Sequence, residues 1–156
     1  MQFEKTIKLI HWMSVEHNPW DKIEGGTNVF YPDEPKDKIY CVPAPLDGDW
    51  NQRNRDSRFY WGPLRHRNLM VILEVPIRLV SMSRMGWISN LGYKDDPSFN
   101  EENFLSSLIS SCTNSDNALV VESVEFDVSW IKAAFFVYED AYGQKVLEEL
   151  DRDFWT

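Results

Sequence analysis

His11 stands in the middle of the apolar run "TIKLIHWM" (6–13). An imidazole there can serve as general base, hydrogen-bond a ribose or ligate a metal. The commoner role of a lone histidine in an apolar strand is that of a hydrogen-bonded core residue. Glu122 and Glu125 lie in "VVESVEF" (120–126). In a regular strand, residues three apart face opposite ways, so one carboxylate can enter a cleft while the other faces solvent. A carboxylate in a cleft polarises a hydroxyl or stabilises a developing cation. The alternative is an amphipathic edge strand with both glutamates wet.

The segment "NQRNRDSRFYWGPLRHRN" (51–68) holds five of the eight arginines, Arg53, Arg55, Arg58, Arg65 and Arg67, with Phe59, Tyr60 and Trp61 among them. Guanidinium forks grip phosphate or carboxylate in pairs, and adjacent aromatics stack flat rings. In an acidic chain this is a local positive patch. The plainer reading pairs these arginines with the surplus carboxylates around them. His17 and His66 share no metal-ligand spacing with His11, and no HExxH or CxxC occurs, so no metal site is expected. Phosphate-loop, GxGxxG and nucleophile-elbow patterns are also missing.

Elements must position these groups. Thr6–Met13 reads as a first strand, and "KIYCVP" (38–43) as a second. Asn18 and Pro19 form a helix start, with Gly25-Gly26 as its stop, so residues 17–26 are expected to hold a short helix. The charged, proline-bearing "YPDEPKDK" (31–38) is a loop. "NLMVILEVPIRLV" (68–80) is apolar on both faces and belongs at the centre of a sheet, with Pro76 marking a bulge or a break into two strands. "PSFNEENFLSSLISSC" (97–112) has capping-box spacing between Ser98 and Glu101 and an apolar helical stripe. Residues 118–128 and 132–139 read as strands. "GQKVLEELDRDF" (143–154) reads as a closing helix with Val146, Leu147, Leu150 and Phe154 inward. Strands and helices without βαβ alternation give an α+β class. The expected form is a compact single domain over residues 1–156, with two small mixed or antiparallel sheets forming a cleft flanked by a few helices.

The net charge of −9 disfavours attraction to phosphate backbones or anionic membranes and suits a basic partner. No apolar run approaches the roughly 20 residues of a spanning helix, and "MQFEKTIKLIHWM" is a poor signal peptide. Cys41 and Cys112 lack CxxC spacing, which suggests reduced thiols and a cytoplasmic setting.

The order of these pieces resembles the histidine-type ADP-ribosyltransferases, in particular the DarT-type DNA ADP-ribosyltransferases. "IHWMSVEHNPWDKIEGG" (10–26) is similar to their opening strand, Asn-containing helix start and glycine, with His11, Asn18 and Gly25 or Gly26 in the matching places. "KIYCVPAPL" (38–46), "LMVILEVPI" (69–77) and "VVESVEFDVSWIKAAFFVYEDAYGQKVLEEL" (120–150) look like the later stretches. Met13 and Ser14 stand where the family carries a threonine and a second histidine, and its Gln-Ala-Glu is absent. The resemblance implies NAD, as substrate, bound between two sheets. His11 would hydrogen-bond the nicotinamide ribose. Tyr40, or an aromatic from 59–61 such as Tyr60, would stack on nicotinamide. An arginine such as Arg53, Arg55 or Arg58 would hold the pyrophosphate or the acceptor. Glu122, favoured over Glu125 by its spacing to Trp130, would activate the acceptor or stabilise the oxocarbenium-like transition state.

Three functions are therefore expected to compete. The first is an ADP-ribosyltransferase acting on a nucleic-acid base or a protein, in a toxin–antitoxin or phage-defence setting. The second is a non-enzymatic acidic binder, such as an immunity protein or phage-encoded inhibitor, that blocks a basic partner by charge complementarity. The third is a phosphate- or nucleotide-binding module without turnover that uses the arginine-rich segment.

Overall fold

The computed structural model describes residues 6–23, 37–44, 68–84, 87–90 and 118–156. These form eight strands: β1 (Thr6–Met13), β2 (Lys38–Pro43), β3 (Leu69–Pro76), β4 (Val80–Arg84), β5 (Trp87–Asn90), β6 (Ala118–Glu122), β7 (Ile131–Glu139) and β8 (Lys145–Leu150). Every neighbouring pair is antiparallel, in the order β5-β4-β6-β2-β1-β3-β7-β8. The α+β expectation is therefore corrected. The strands join one antiparallel sheet instead of two, and no α-helix occurs among the described residues; the helical pieces there are short 3-10 turns. The helix expected over 97–112 lies outside the described residues.

β1 and β3 share an unbroken eight-pair ladder from Thr6↔Pro76 to Met13↔Leu69. Both strands are apolar on both faces, which is why they take the middle of the sheet. Leu9, Met13, Leu69, Met70, Val71 and Leu73 are wholly buried. The break expected at Pro76 is present: β3 ends there, a 3-10 turn covers Ile77–Leu79, and β4 begins at Val80.

That turn constrains the shape of the sheet. β4 lies four places from β3 in the strand order, which in a flat sheet is ~19 Å of lateral spacing. Three intervening residues span at most ~14 Å between Pro76 and Val80. The sheet must curl until the end of β3 reaches the start of β4. The other half of the chain follows the same path in reverse. β6 pairs with β4 through Val121↔Val80, and β7 pairs with β3 through Ile131↔Leu73. Between these registers six residues (74–79) face nine (122–130). The longer side takes up its surplus in 3-10 turns at Ser123–Glu125 and Val128–Trp130.

Two further elements differ from expectation. Residues 17–22 make one turn and not a helix: Asn18 Oδ1 accepts from Trp20 N at 3.0 Å, and its carbonyl accepts from Asp21 N and Lys22 N. The closing helix over 143–154 is instead β8 followed by a 3-10 turn at Arg152–Trp155. The open edge of β7 supplies a six-pair ladder from Ala134↔Leu150 to Glu139↔Lys145. Pairing there overrides the local helical spacing.

Candidate functional site

His11 is completely buried, and its Nδ1 lies 2.8 Å from the carbonyl oxygen of Tyr40. A carbonyl only accepts, so Nδ1 carries the proton. The bond reaches across where the short β1–β2 ladder stops, after Leu9↔Pro43 and Ile10↔Val42. The imidazole thus ties β2 to β1 beyond their last backbone pair.

Register decides which side chains can meet. Along β1, alternation puts exposed Lys8 with Ile10 and Trp12 on one face, and Leu9 with His11 and Met13 on the other. Ile10 opposes Val42, Tyr40 opposes Val120 and Lys38 opposes Glu122. The Tyr40 ring and the Glu122 carboxylate therefore share the face of Ile10, opposite to His11. The structure joins His11 to the backbone of Tyr40 and places the rings of these two residues on opposite sides of the sheet. Trp12, on the Tyr40 face, has a buried Nε1 without a hydrogen-bond partner.

Glu122 ends β6 and engages Lys38, whose Nζ donates to Oε1 at 2.6 Å and to Oε2 at 2.7 Å. Asp37 adds a carboxylate 3.7 Å from the same ammonium. The hydrogen bond that Lys38 donates to Glu122, helped by these charges, raises the Lys38 pKa above its ordinary value. Glu125 is not on a strand: it is exposed in the turn Ser123–Glu125. The expected placement of both glutamates on one regular strand is corrected, because the chain leaves the ladder after Glu122. Cys41 is buried and unoxidised, and burial pushes its thiol well above the ordinary range, so it is poorly suited as a nucleophile. Arg53, Arg55, Arg58 and Tyr60 lie outside the described residues.

The acidic last quarter of the chain has no motif to announce it. Residues 118–156 hold nine carboxylates against three basic side chains. Seven of the nine are exposed: Glu125, Asp127, Glu139, Glu148, Glu149, Asp151 and Asp153. The same stretch of sequence carries large exposed apolar side chains, Tyr142 at 90 % exposure and Phe154 at 55 %. Tyr142 is carried on a tightly bonded tip. Asp140 Oδ1 accepts from Tyr142 N and Gln144 N at 2.9 Å each, and Gly143 takes φ +75°. The signal available in the sequence was the charge density of the last quarter of the chain.

A cavity of about 410 Å³ opens beside Glu16, His17, Asn18, Asp21, Lys22 and Trp155. Trp155 is fixed there by Nε1 donating to Val15 O at 2.7 Å and by ring contacts with Trp20 and Phe154. No group of three or more His, Cys, Asp or Glu suited to a metal occurs among the described residues. Within them, no helix is long and apolar enough to cross a membrane. No family model matches the chain, and no curated protein or solved structure matches it either.

Proposed function

We propose that this protein is a non-enzymatic acidic binding module that covers a basic surface of a partner protein. The observation carrying this reading is that seven of the nine carboxylates of residues 118–156 are exposed, in the stretch that also exposes Tyr142 and Phe154. Opposite charge steers encounter and selects partners, while exposed aromatics supply contact area once the surfaces meet. The NAD-dependent reading has less support. It needs His11 and a glutamate to converge on one ligand. The registers put His11 and Glu122 on opposite faces, and Glu122 is already held by Lys38.

The test has two arms. Immobilised protein is challenged with basic and acidic proteins of similar size over a range of salt concentrations. Basic proteins are expected to be retained at low salt and released as salt rises. In parallel, the protein is incubated with labelled NAD and with DNA, RNA or protein acceptors, and the label is expected to stay in intact NAD. Transfer of ADP-ribose, or indifference to the charge of the challenger, would overturn the proposal.

A further inference from the structure

β8 is the last strand of the sheet, with β7 on one side and no described strand on the other. It is six residues long, contains no proline, and is paired along its full length with β7. An edge of that length presents a row of outward backbone donors and acceptors, which is a template for one more strand. Many edges are blunted by lysine, proline or a bulge. This one has a lysine only at its first position, Lys145, and carries Glu148 and Glu149, both exposed, in mid-strand.

Adjacent strand residues point to opposite faces. Glu148 and Glu149 thus place one carboxylate on each side of the sheet, and half-buried Val146 and Leu147 do the same for apolar contact. Exposed Asp151 follows one end of β8, and Glu139 and Asp140 flank the other. Lys145 opens the strand opposite Glu139, so an extended segment laid along β8 meets its excess of negative charge at Glu148, Glu149 and Asp151, with one mid-strand carboxylate on each face. A second copy of this chain is a poor occupant. Each β8 carries two glutamates against one lysine, so pairing β8 with β8 brings net like charge into one two-stranded ladder, which destabilises it.

We infer that β8 accepts an extended, lysine- or arginine-bearing segment of a partner protein as a ninth strand. This rests on the acidic-binder reading and adds the mode: backbone pairing supplies affinity, and the carboxylates select cationic side chains. The probe is a nine-residue peptide of alternating lysine and valine, with its glutamate-for-lysine counterpart as control. Calorimetry measures binding, and amide hydrogen exchange locates it.

The lysine peptide is expected to bind, to slow exchange in residues 145–150 more than elsewhere, and to lose at least tenfold in affinity against Glu148→Lys/Glu149→Lys. The glutamate peptide is expected not to bind. Because charge reversal can disturb folding, Glu148→Gln/Glu149→Gln is measured beside it, with an intermediate loss expected. Binding that leaves exchange in 145–150 unchanged, or that both double variants retain in full, would sink the inference. So would a dimer protected over 145–150 without peptide. If basic proteins are still retained while exchange in β8 never changes, only the strand mode fails. If no basic ligand binds at all, the acidic-binder reading fails with it.

Discussion

The imidazole of His11 is a structural crosslink between two strands. It is wholly buried, and its Nδ1–H satisfies the Tyr40 carbonyl where the β1–β2 ladder ends. Replacing it with leucine removes the donor and leaves a buried carbonyl unsatisfied, at about 1–3 kcal/mol. Asparagine can place its amide N–H near the same spot. His11→Leu is therefore expected to lower unfolding free energy by about 2 kcal/mol, and His11→Asn by less, as read from denaturant midpoints at unchanged slope. Equal losses would mean that shape, and not the hydrogen bond, is what the site requires. The Lys38–Glu122 pair gives a pH-dependent counterpart. The folded-state pKa of Lys38 is raised above 10.5, mainly by its hydrogen bond to Glu122. Its stabilising contribution is thus fully present below pH 10.5 and fades as pH rises through the higher folded value. With the Glu122 side chain 44 % exposed, the pair is worth no more than about 1 kcal/mol. Lys38→Met should show that small loss at pH 8 in chemical unfolding, and the difference from the parent should shrink toward pH 11.

The β7–β8 hairpin is fixed by its turn chemistry. Asp140 Oδ1 holds two backbone N–H groups, Asp140 N donates to Gln144 O at 2.9 Å, and Gly143 supplies the left-handed residue. A Cβ at position 143 would meet nothing within 4 Å, so the penalty of Gly143→Ala is conformational and not steric crowding. About 1 kcal/mol is expected for Gly143→Ala and about 1–2 for Asp140→Ala. Faster hydrogen exchange in β8, with β1 and β3 unaffected, would show that the loss is local. The same hairpin marks where the sequence was hard to read. Val146, Leu147, Leu150 and Phe154 fit a helical stripe, yet Phe154 is 55 % exposed. The deciding fact, an unfilled edge on β7, is a tertiary one. β1 and β2 were legible to the residue, and β3 nearly so, because alternation, branching and proline stops agree there. At the candidate site, the burial of His11 could be read from its apolar neighbours. Its face relative to Tyr40 and Glu122 could not, since that depends on registers between strands far apart in the chain. The turn after Glu122 hides in the same way inside an apolar run that looks continuous.

Over the whole molecule, the turn Ile77–Leu79 acts as a short tether. It joins the strand beside β1 to the strand beside β6, and it fixes how far the sheet can open. Slack there carries a different penalty from slack at the tip beside Tyr142. Six added Gly/Ser residues after Tyr142 lengthen an exposed loop at about 0.7 kcal/mol of closure entropy, with about 1–2 kcal/mol more from the Asp140 bonds they separate. The same insertion after Arg78 also releases Ile77 and Val80, which are 1 % and 2 % exposed, and each buried side chain is worth about 1.5–3 kcal/mol. The second insertion should therefore lower the unfolding midpoint more than the first. Equal shifts would mean that the curl is held by packing alone. In polymer terms, three residues keep the two halves of the sheet at a high effective concentration, so that closing one half on the other is a local event for a chain whose central strands pair over long distances.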